Sequence, residues 1–298
     1  MQFSMGVVFK LAVKALLLLP GMTAAQNLTS DQQFDANRTM SFGVVLFPGF
    51  EPLDVYGPLE VLVQMSILTK MTASFISFET GPVNSRYTPY TKAPGDPPTD
   101  WGFMLGASTV ATHTFADAPA LDVILVPGGL GTRTLVEQHD DPERGSRVIE
   151  DFLRRRASQA DYVVSVCTGA VLLARSGLLA GRRATTNKAA WEWVTGAGSD
   201  MGNGSSNGDI TWVPSARWTV DGNIWTSSGV AAGMDMMYAF MRQLYGPAMA
   251  NTAVNVMEYA PNQDSHWDPF SVVDKVPGAN TTRSLTSCVA PAGYEAGT

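Results

Sequence analysis

Three histidines and two cysteines in 298 residues leave little material for a metal centre, and none of the five falls at metal-ligand spacing. Two cysteines also exclude a disulfide-stapled scaffold. Charge is sparse as well, at 16% of residues against about 25% in an average domain. The basic runs stop at Arg154-Arg155-Arg156 and the net formal charge is −7. A phosphate backbone would therefore be repelled overall, which argues against nucleic acid as a partner. Downstream of the first 25 residues no apolar run approaches the 18 or so needed to cross a bilayer. What is present is a 45% hydrophobic chain, long enough to bury a sizeable core unaided.

The N-terminal residues read as an address rather than as fold. Lys10 and Lys14 punctuate an apolar stretch from Leu11 to Leu19, followed by Pro20, Gly21 and the small run Thr23-Ala24-Ala25. This is the pattern of a secretory signal peptide over residues 1–25, too short in its apolar part to be an anchor. Its removal would leave 273 residues and move the formal charge to −9. Asn27, Asn37, Asn203 and Asn280 each begin an Asn-x-Ser/Thr triplet in polar or terminal stretches, the expectation for a secreted glycoprotein.

After an extension at 26–40, residues 41–260 alternate β-branched apolar runs with amphipathic segments and carry no internal repeat, which predicts a parallel sheet covered by helices. Strands are expected at 42–47, 72–78, 121–126 and 162–166, and a hairpin around Asp221-Gly222-Asn223. Helices are expected from Leu59 to Ile67, Val148 to Arg155, Met234 to Leu244 and Ala248 to Tyr259. Residues 81–106, rich in Pro, Gly and Thr, read as a surface excursion, and 261–298 as a tail that wraps the surface or stays unstructured. Met234, Met236, Met237 and Met241 are expected in packing, as are Trp191, Trp193, Trp212, Trp218 and Trp225, unless some of these rings line an apolar pocket.

Two strands end in small-residue turns, Pro127-Gly128-Gly129 and Cys167-Thr168-Gly169-Ala170. In open α/β sheets ligands bind at the carboxyl ends of strands. Cys167 stands where a buried strand bends into a helix, the logic of a nucleophile elbow, and a helix N-terminus favours thiolate. A buried structural cysteine is the competing reading. Its position offers a tail cysteine poor access, which speaks against a Cys167–Cys288 disulfide and leaves Cys288 free or paired between chains. Gly128-Gly129-Leu130-Gly131 lacks the last glycine of a dinucleotide fingerprint, so no cofactor is expected.

Four strings, LFPGFEPLDVYGPLEVL (46–62), LDVILVPGGLGT (121–132), VVSVCTGAVLLARSGLLAGRRATT (163–186) and DGNIWTSSGVAAGMDM (221–236), resemble the ThiJ/PfpI superfamily of class I glutamine-amidotransferase-like folds, most closely its isonitrile hydratase branch. The resemblance implies a flavodoxin-like three-layer sandwich and a homodimer. It places the nucleophile on Cys167 and the acid on Asp54, on the turn after the first strand and four residues before Pro58, where the competing reading is a residue that caps the following helix. Glu60 is a weaker acid candidate that more simply lies on a helix face. The resemblance gives oxyanion donors on Gly128, Gly129 and Thr168, with Thr168 also placed to orient water or hold Asp54. Ser228-Gly229, directly after an expected strand, reads first as a helix N-cap and second as a ligand contact. Protease relatives carry a histidine after the cysteine; here Thr168 stands there, and His113, His139 and His266 lie outside the four strings, which disfavours peptide hydrolysis. Asn187-Lys188 also departs from the His-Trp of bacterial hydratases. The implied reaction is isonitrile hydration to a formamide, with no metal; the alternatives are a glyoxalase III-like conversion and a redox-responsive binding or stress protein.

Overall fold

The computed structural model describes residues 28–86, 104–197 and 210–283. The signal segment, Asn27, Asn203 and Cys288 lie outside these residues.

The chain runs through α1 (Ser30–Asn37), β1 (Met40–Val45), α2 (Pro52–Ser66), β2 (Met71–Ser77), β3 (Gly81–Asn84), β4 (Ser108–Ala111), β5 (His113–Thr114) and β6 (Val123–Val126). It continues with α3 (Gly131–Glu137), α4 (Ser146–Arg156), β7 (Tyr162–Ser165), a 3₁₀ turn at Cys167–Gly169, α5 (Ala170–Arg175), β8 (Arg183–Ala184) and α6 (Trp191–Ala197). Last come β9 (Thr211–Trp212), the hairpin β10 (Trp218–Asp221) and β11 (Ile224–Ser227), then α7 (Ala231–Tyr245), α8 (Pro247–Val256) and α9 (Phe270–Val273). Seven strands form one sheet in the order β10-β11-β7-β6-β1-β2-β5, parallel except for β10 against β11.

β6 is buried at every residue and β1 at all but one, as expected of strands covered on both faces. Two helical groups flank the sheet. One joins α1, α2, α7 and α8, and the other joins α3 to α6. Met236, Met237 and Met241 are fully buried in α7, and Met234 packs on Gly57 of α2, where a Cβ would stand 2.6 Å from its Cγ. Trp225 and Phe240 meet edge to face at 5.1 Å and Trp191 meets Trp212 at 6.1 Å, so these rings serve the interior.

One expectation changes and two gain detail. The start of the 81–106 excursion is not loop: Gly81–Asn84 is a strand that pairs antiparallel with Ser108–Ala111, just beyond the excursion's end. The extension before residue 41 joins the fold, because Arg38 pairs with Asp122 and Asp161 and Gln32 donates to the Arg242 carbonyl at the end of α7. Of the two readings of the tail, the described part up to residue 283 follows the first and wraps the surface: Trp267 and Val276 are buried, and Asp268 donates its backbone N–H to the Ser215 carbonyl.

Candidate active site

Four adjacent strands, β11, β7, β6 and β1, run parallel and end at one edge of the sheet. Each feeds one functional segment into the same place: Ser228-Gly229-Val230, Cys167, Gly128-Gly129 and the start of α2. Proximity therefore follows from strand order, although the four segments span 176 positions of sequence from Asp54 to Val230.

Cys167 is bent into φ 59, a left-handed conformation that is costly for a side chain bearing a Cβ. Tertiary bonds hold it there. Its N–H donates to the Ser228 carbonyl at 3.0 Å, and its own carbonyl accepts from Thr186 Oγ1 at 2.8 Å. The side chain is buried, and three donors face its sulfur: the backbone N–H groups of Thr168 and Val230 and the side-chain amide of Asn187. Val230 is itself strained, at φ 26 and ψ −82, a rare state for a β-branched residue. Asn187 accepts from the Ala190 N–H at 2.9 Å through Oδ1, which turns its NH₂ toward the cysteine.

Asp54 lies in the first turn of α2, not on the turn before it, and is fully buried. It is not the helix cap; Glu51 holds that position. Its Oδ2 accepts from the Gly128 N–H at 2.8 Å, while buried Oδ1 has no conventional hydrogen-bond partner. Burial pushes the Asp54 carboxyl up to about 8; the Gly128 bond and the nearby thiol pull against this, and Glu51 adds to it. At neutral pH the side chain is an acid holding its proton.

The thiol moves the same way. Burial raises it first and the charge of Asp54 second, and together they outweigh the three donors. This corrects the thiolate expected at a helix start: the site is too dry for the donors of that helix start to win. Alkylation by iodoacetamide should accordingly run about tenfold slower at pH 7 than for an open cysteine and quicken toward pH 10. Rapid labelling at pH 7 would show a resting thiolate instead.

Gly128 and Gly129 act differently from the oxyanion donors expected of them. Their N–H groups are spent on Asp54 Oδ2 and on Thr168 Oγ1, the latter at 2.9 Å. The Thr168 hydroxyl does not touch Asp54; it also accepts from Thr132 Oγ1 at 3.1 Å and braces the glycine turn. A Cβ on Gly128 would stand 2.5 Å from the Thr168 nitrogen, so only glycine lets the turns of β6 and β7 close on Asp54. Ser228 is reached through its carbonyl, and the N-cap of α7 is Val230. Gly229 leaves room for Asn187, whose Nδ2 would be 2.6 Å from an added Cβ. Gly229→Ala should leave the protein folded yet displace this amide and cut turnover about a hundredfold, read from kcat and a melting curve.

Asn187 and Val230 are the site members that sequence reasoning missed as donors, and only the departure at 187–188 pointed to one of them. Glu60 is exposed and bonds Gln64 one turn on, away from the site. The histidines bond elsewhere, His113 to Thr112, His139 to Ser146 and His266 to Ser265. Among the described residues no group of three or more His, Cys, Asp or Glu side chains is arranged to hold a metal ion. A cavity of about 280 Å³ borders the site through Asn187, Gly229 and Val230. A larger one of about 380 Å³, between Phe78, Phe115 and Arg144, shares no residue with it. The five tryptophans line neither.

A parallel α/β sheet with a strained cysteine at the end of one strand and a buried carboxylic acid from the helix after another defines the class of elbow-nucleophile α/β proteins. Within that class, residues 40–243 match the model of the DJ-1/PfpI family, and the chain belongs to it. It is 33% identical over 223 residues to an isonitrile hydratase of Pseudomonas putida, covering 74% of this chain and 79% of that one. A transcriptional regulator of Pseudomonas aeruginosa, the HTH-type protein GbdR, is 28% identical over 153 residues, half of this chain and 36% of the regulator. Among solved structures, a ThiJ/PfpI family protein from Pseudomonas syringae superposes with a TM-score of 0.58 at 25% identity, over 80% of this chain and 84% of the other. Drosophila melanogaster DJ-1beta shares the fold, with a TM-score of 0.54 at 19% identity over 75% of this chain and all of its own.

Proposed function

We propose that the protein is an isonitrile hydratase in which Cys167 is the nucleophile and Asp54 the proton carrier. The observation that carries this reading is the pairing of a buried thiol with a buried acid that keeps its proton near neutrality, with no imidazole in contact. The kinship to an isonitrile hydratase supports it. An isonitrile carbon carries a lone pair and accepts both a proton and a nucleophile, so an acid and a thiol are what the first step requires.

Asp54 protonates the terminal carbon and recovers a proton from the Cys167 thiol as sulfur bonds to that carbon. The product is a thioimidate, R–N=CH–S–Cys167. Water then adds to the same carbon, Asp54 taking a proton from the water and giving its own to nitrogen. The resulting R–NH–CH(OH)–S–Cys167 collapses: the hydroxyl proton passes through Asp54 to the leaving sulfur, and R–NH–CHO departs. Every step moves one proton through one carboxyl group, and the enzyme ends as it began. The donors on Asn187, Val230 and Thr168 stabilise sulfur as it gains and loses charge.

Incubating the purified protein with cyclohexyl isonitrile and following N-cyclohexylformamide tests the reading; absence of formamide overturns it. The fold does not favour the glyoxalase or redox alternatives by any observation of its own. The reading includes export, with a glycan on Asn280, which is exposed and turned by bonds from Thr282 to its Oδ1. Asn37 is a poorer acceptor because its amide bonds the Gln33 carbonyl at 2.7 Å. Protein recovered from the medium should shift in mass on deglycosylation with Asn280 converted to Asp; an unmodified Asn280 refutes the assignment.

A further inference from the structure

The cavity beside Cys167 contains a feature that the hydration chemistry leaves unused. Lys188 lines it and is only 3% exposed, yet no carboxylate lies within 4 Å of its ammonium among the described residues. Nζ donates instead to two neutral oxygens, Thr185 Oγ1 at 2.7 Å and the Ala216 carbonyl at 2.8 Å, with the Trp191 ring 5.1 Å away. The charges around it offset one another. Asp268 favours the ammonium and Arg217, which also lines the cavity, opposes it. Arg217 is itself tied to Asp235 at 2.5 Å and stands 3.9 Å from Asp268. Asp274, on the exposed rim, is screened by water. No ion pair therefore repays the burial of the Lys188 charge in full, and that burial pulls the amine down to about 7.

Besides Asn187, Ser228 and Gly229 the rest of the wall is apolar, formed by Ala189, Val230, Ala231 and Phe270, the last from the docked tail. Asn187 and Val230 face both the sulfur and this cavity, so a carbon bonded to Cys167 has its remaining substituent directed past them. Resting on isonitrile hydration as the reaction, the geometry points to this cavity as the pocket for the group on the substrate nitrogen, and to a short hydrocarbon chain ending in a carboxylate as that group. The hydrocarbon lies between Val230 and Phe270, and the carboxylate pairs with Lys188 beside Arg217. A volume of about 280 Å³ admits such a chain but not a large ring system.

A matched series tests this: ω-isocyano carboxylates with two to six carbons, each beside its methyl ester. At pH 6.5, where Lys188 is charged, the best acid should exceed its ester in kcat/KM by about tenfold, the worth of one charge-assisted hydrogen bond. The ratio should fall toward one by pH 8.5 as the amine loses its proton, and it should fall to about one at pH 6.5 in Lys188→Met. Taking the ratio cancels the titration of Asp54, which acts equally on both substrates. Hydration of esters with no preference for any acid refutes the inference while leaving the reaction intact. Calorimetry with unreactive hexanoate reads the pocket without turnover. Binding should weaken about tenfold in Lys188→Met and should take up protons at pH 7.5; equal affinity in the variant, or no uptake, refutes the inference whatever the reaction is.

Discussion

Cys167→Ser should lower formamide production by about a thousandfold or more, with the melting temperature within a few degrees of the parent. A hydroxyl occupies the same space, so the bonds from Cys167 to Ser228 and Thr186, both made by backbone atoms, survive the exchange. What is lost is a soft nucleophile whose proton leaves as sulfur bonds carbon. Serine holds its proton far more firmly, and the carboxylate that Asp54 becomes on protonating the isonitrile carbon is too weak a base to take it as it takes a thiol's. Intact-mass analysis of the parent, quenched during turnover, should show an adduct equal to the isonitrile on the peptide bearing Cys167 and none in the variant. Undiminished turnover in the serine variant would assign the chemistry to another group.

Asp54→Asn should separate stability from activity in opposite directions. Its carboxyl sits near 8 in the folded protein and near 4 in the unfolded chain, so between those values the folded state holds a proton that the unfolded state has released. The contribution to stability is complete below about pH 4 and is lost progressively up to about pH 8. Asparagine keeps the shape and the bond from Gly128 without that linkage. The variant should therefore gain on the parent by a few kcal/mol on going from pH 5 to pH 7.5, as read from denaturant midpoints at the two pH values. Its kcat should fall by about a hundredfold to ten-thousandfold, the usual worth of a positioned proton donor. In the parent, turnover should decline above about pH 8, where Asp54 loses the proton it must donate. A variant as active as the parent, or a parental rate still rising past pH 9, would remove Asp54 from the proton path.

Much of this arrangement is legible in the chain. The buried strands announce themselves as runs such as Leu121-Asp122-Val123-Ile124-Leu125-Val126, because a parallel strand covered on both faces has no alternating polar side to show. The elbow is visible as small residues directly after such a run. Asp54 is visible only through resemblance, since nothing in Glu51-Pro52-Leu53-Asp54 sets it apart from a helix-capping turn. Other features resist sequence reading for physical reasons. The N–H of Val230 reaches the sulfur through a backbone angle that valine disfavours, so residue preference points away from it. The amide of Asn187 arrives because Thr186 bonds the Cys167 carbonyl across 19 positions, a contact that local pattern does not encode. Gly128 and Gly129 read correctly as places of close approach, but which partner takes their N–H groups is decided by a helix from another part of the chain.

The docked tail divides labour within the molecule. Family-matched residues end at 243, yet Phe270, well beyond that point, forms the outer wall of the cavity. The strained elbow and its acid tolerate little change, because each is locked by bonds from several strands. A short surface strap has no such burden, with Phe270 and Val273 of α9 more than half exposed. On the proposed reading, substrate preference is therefore open to adjustment by exchange of residues 261–283, while Cys167 and Asp54 stay as they are.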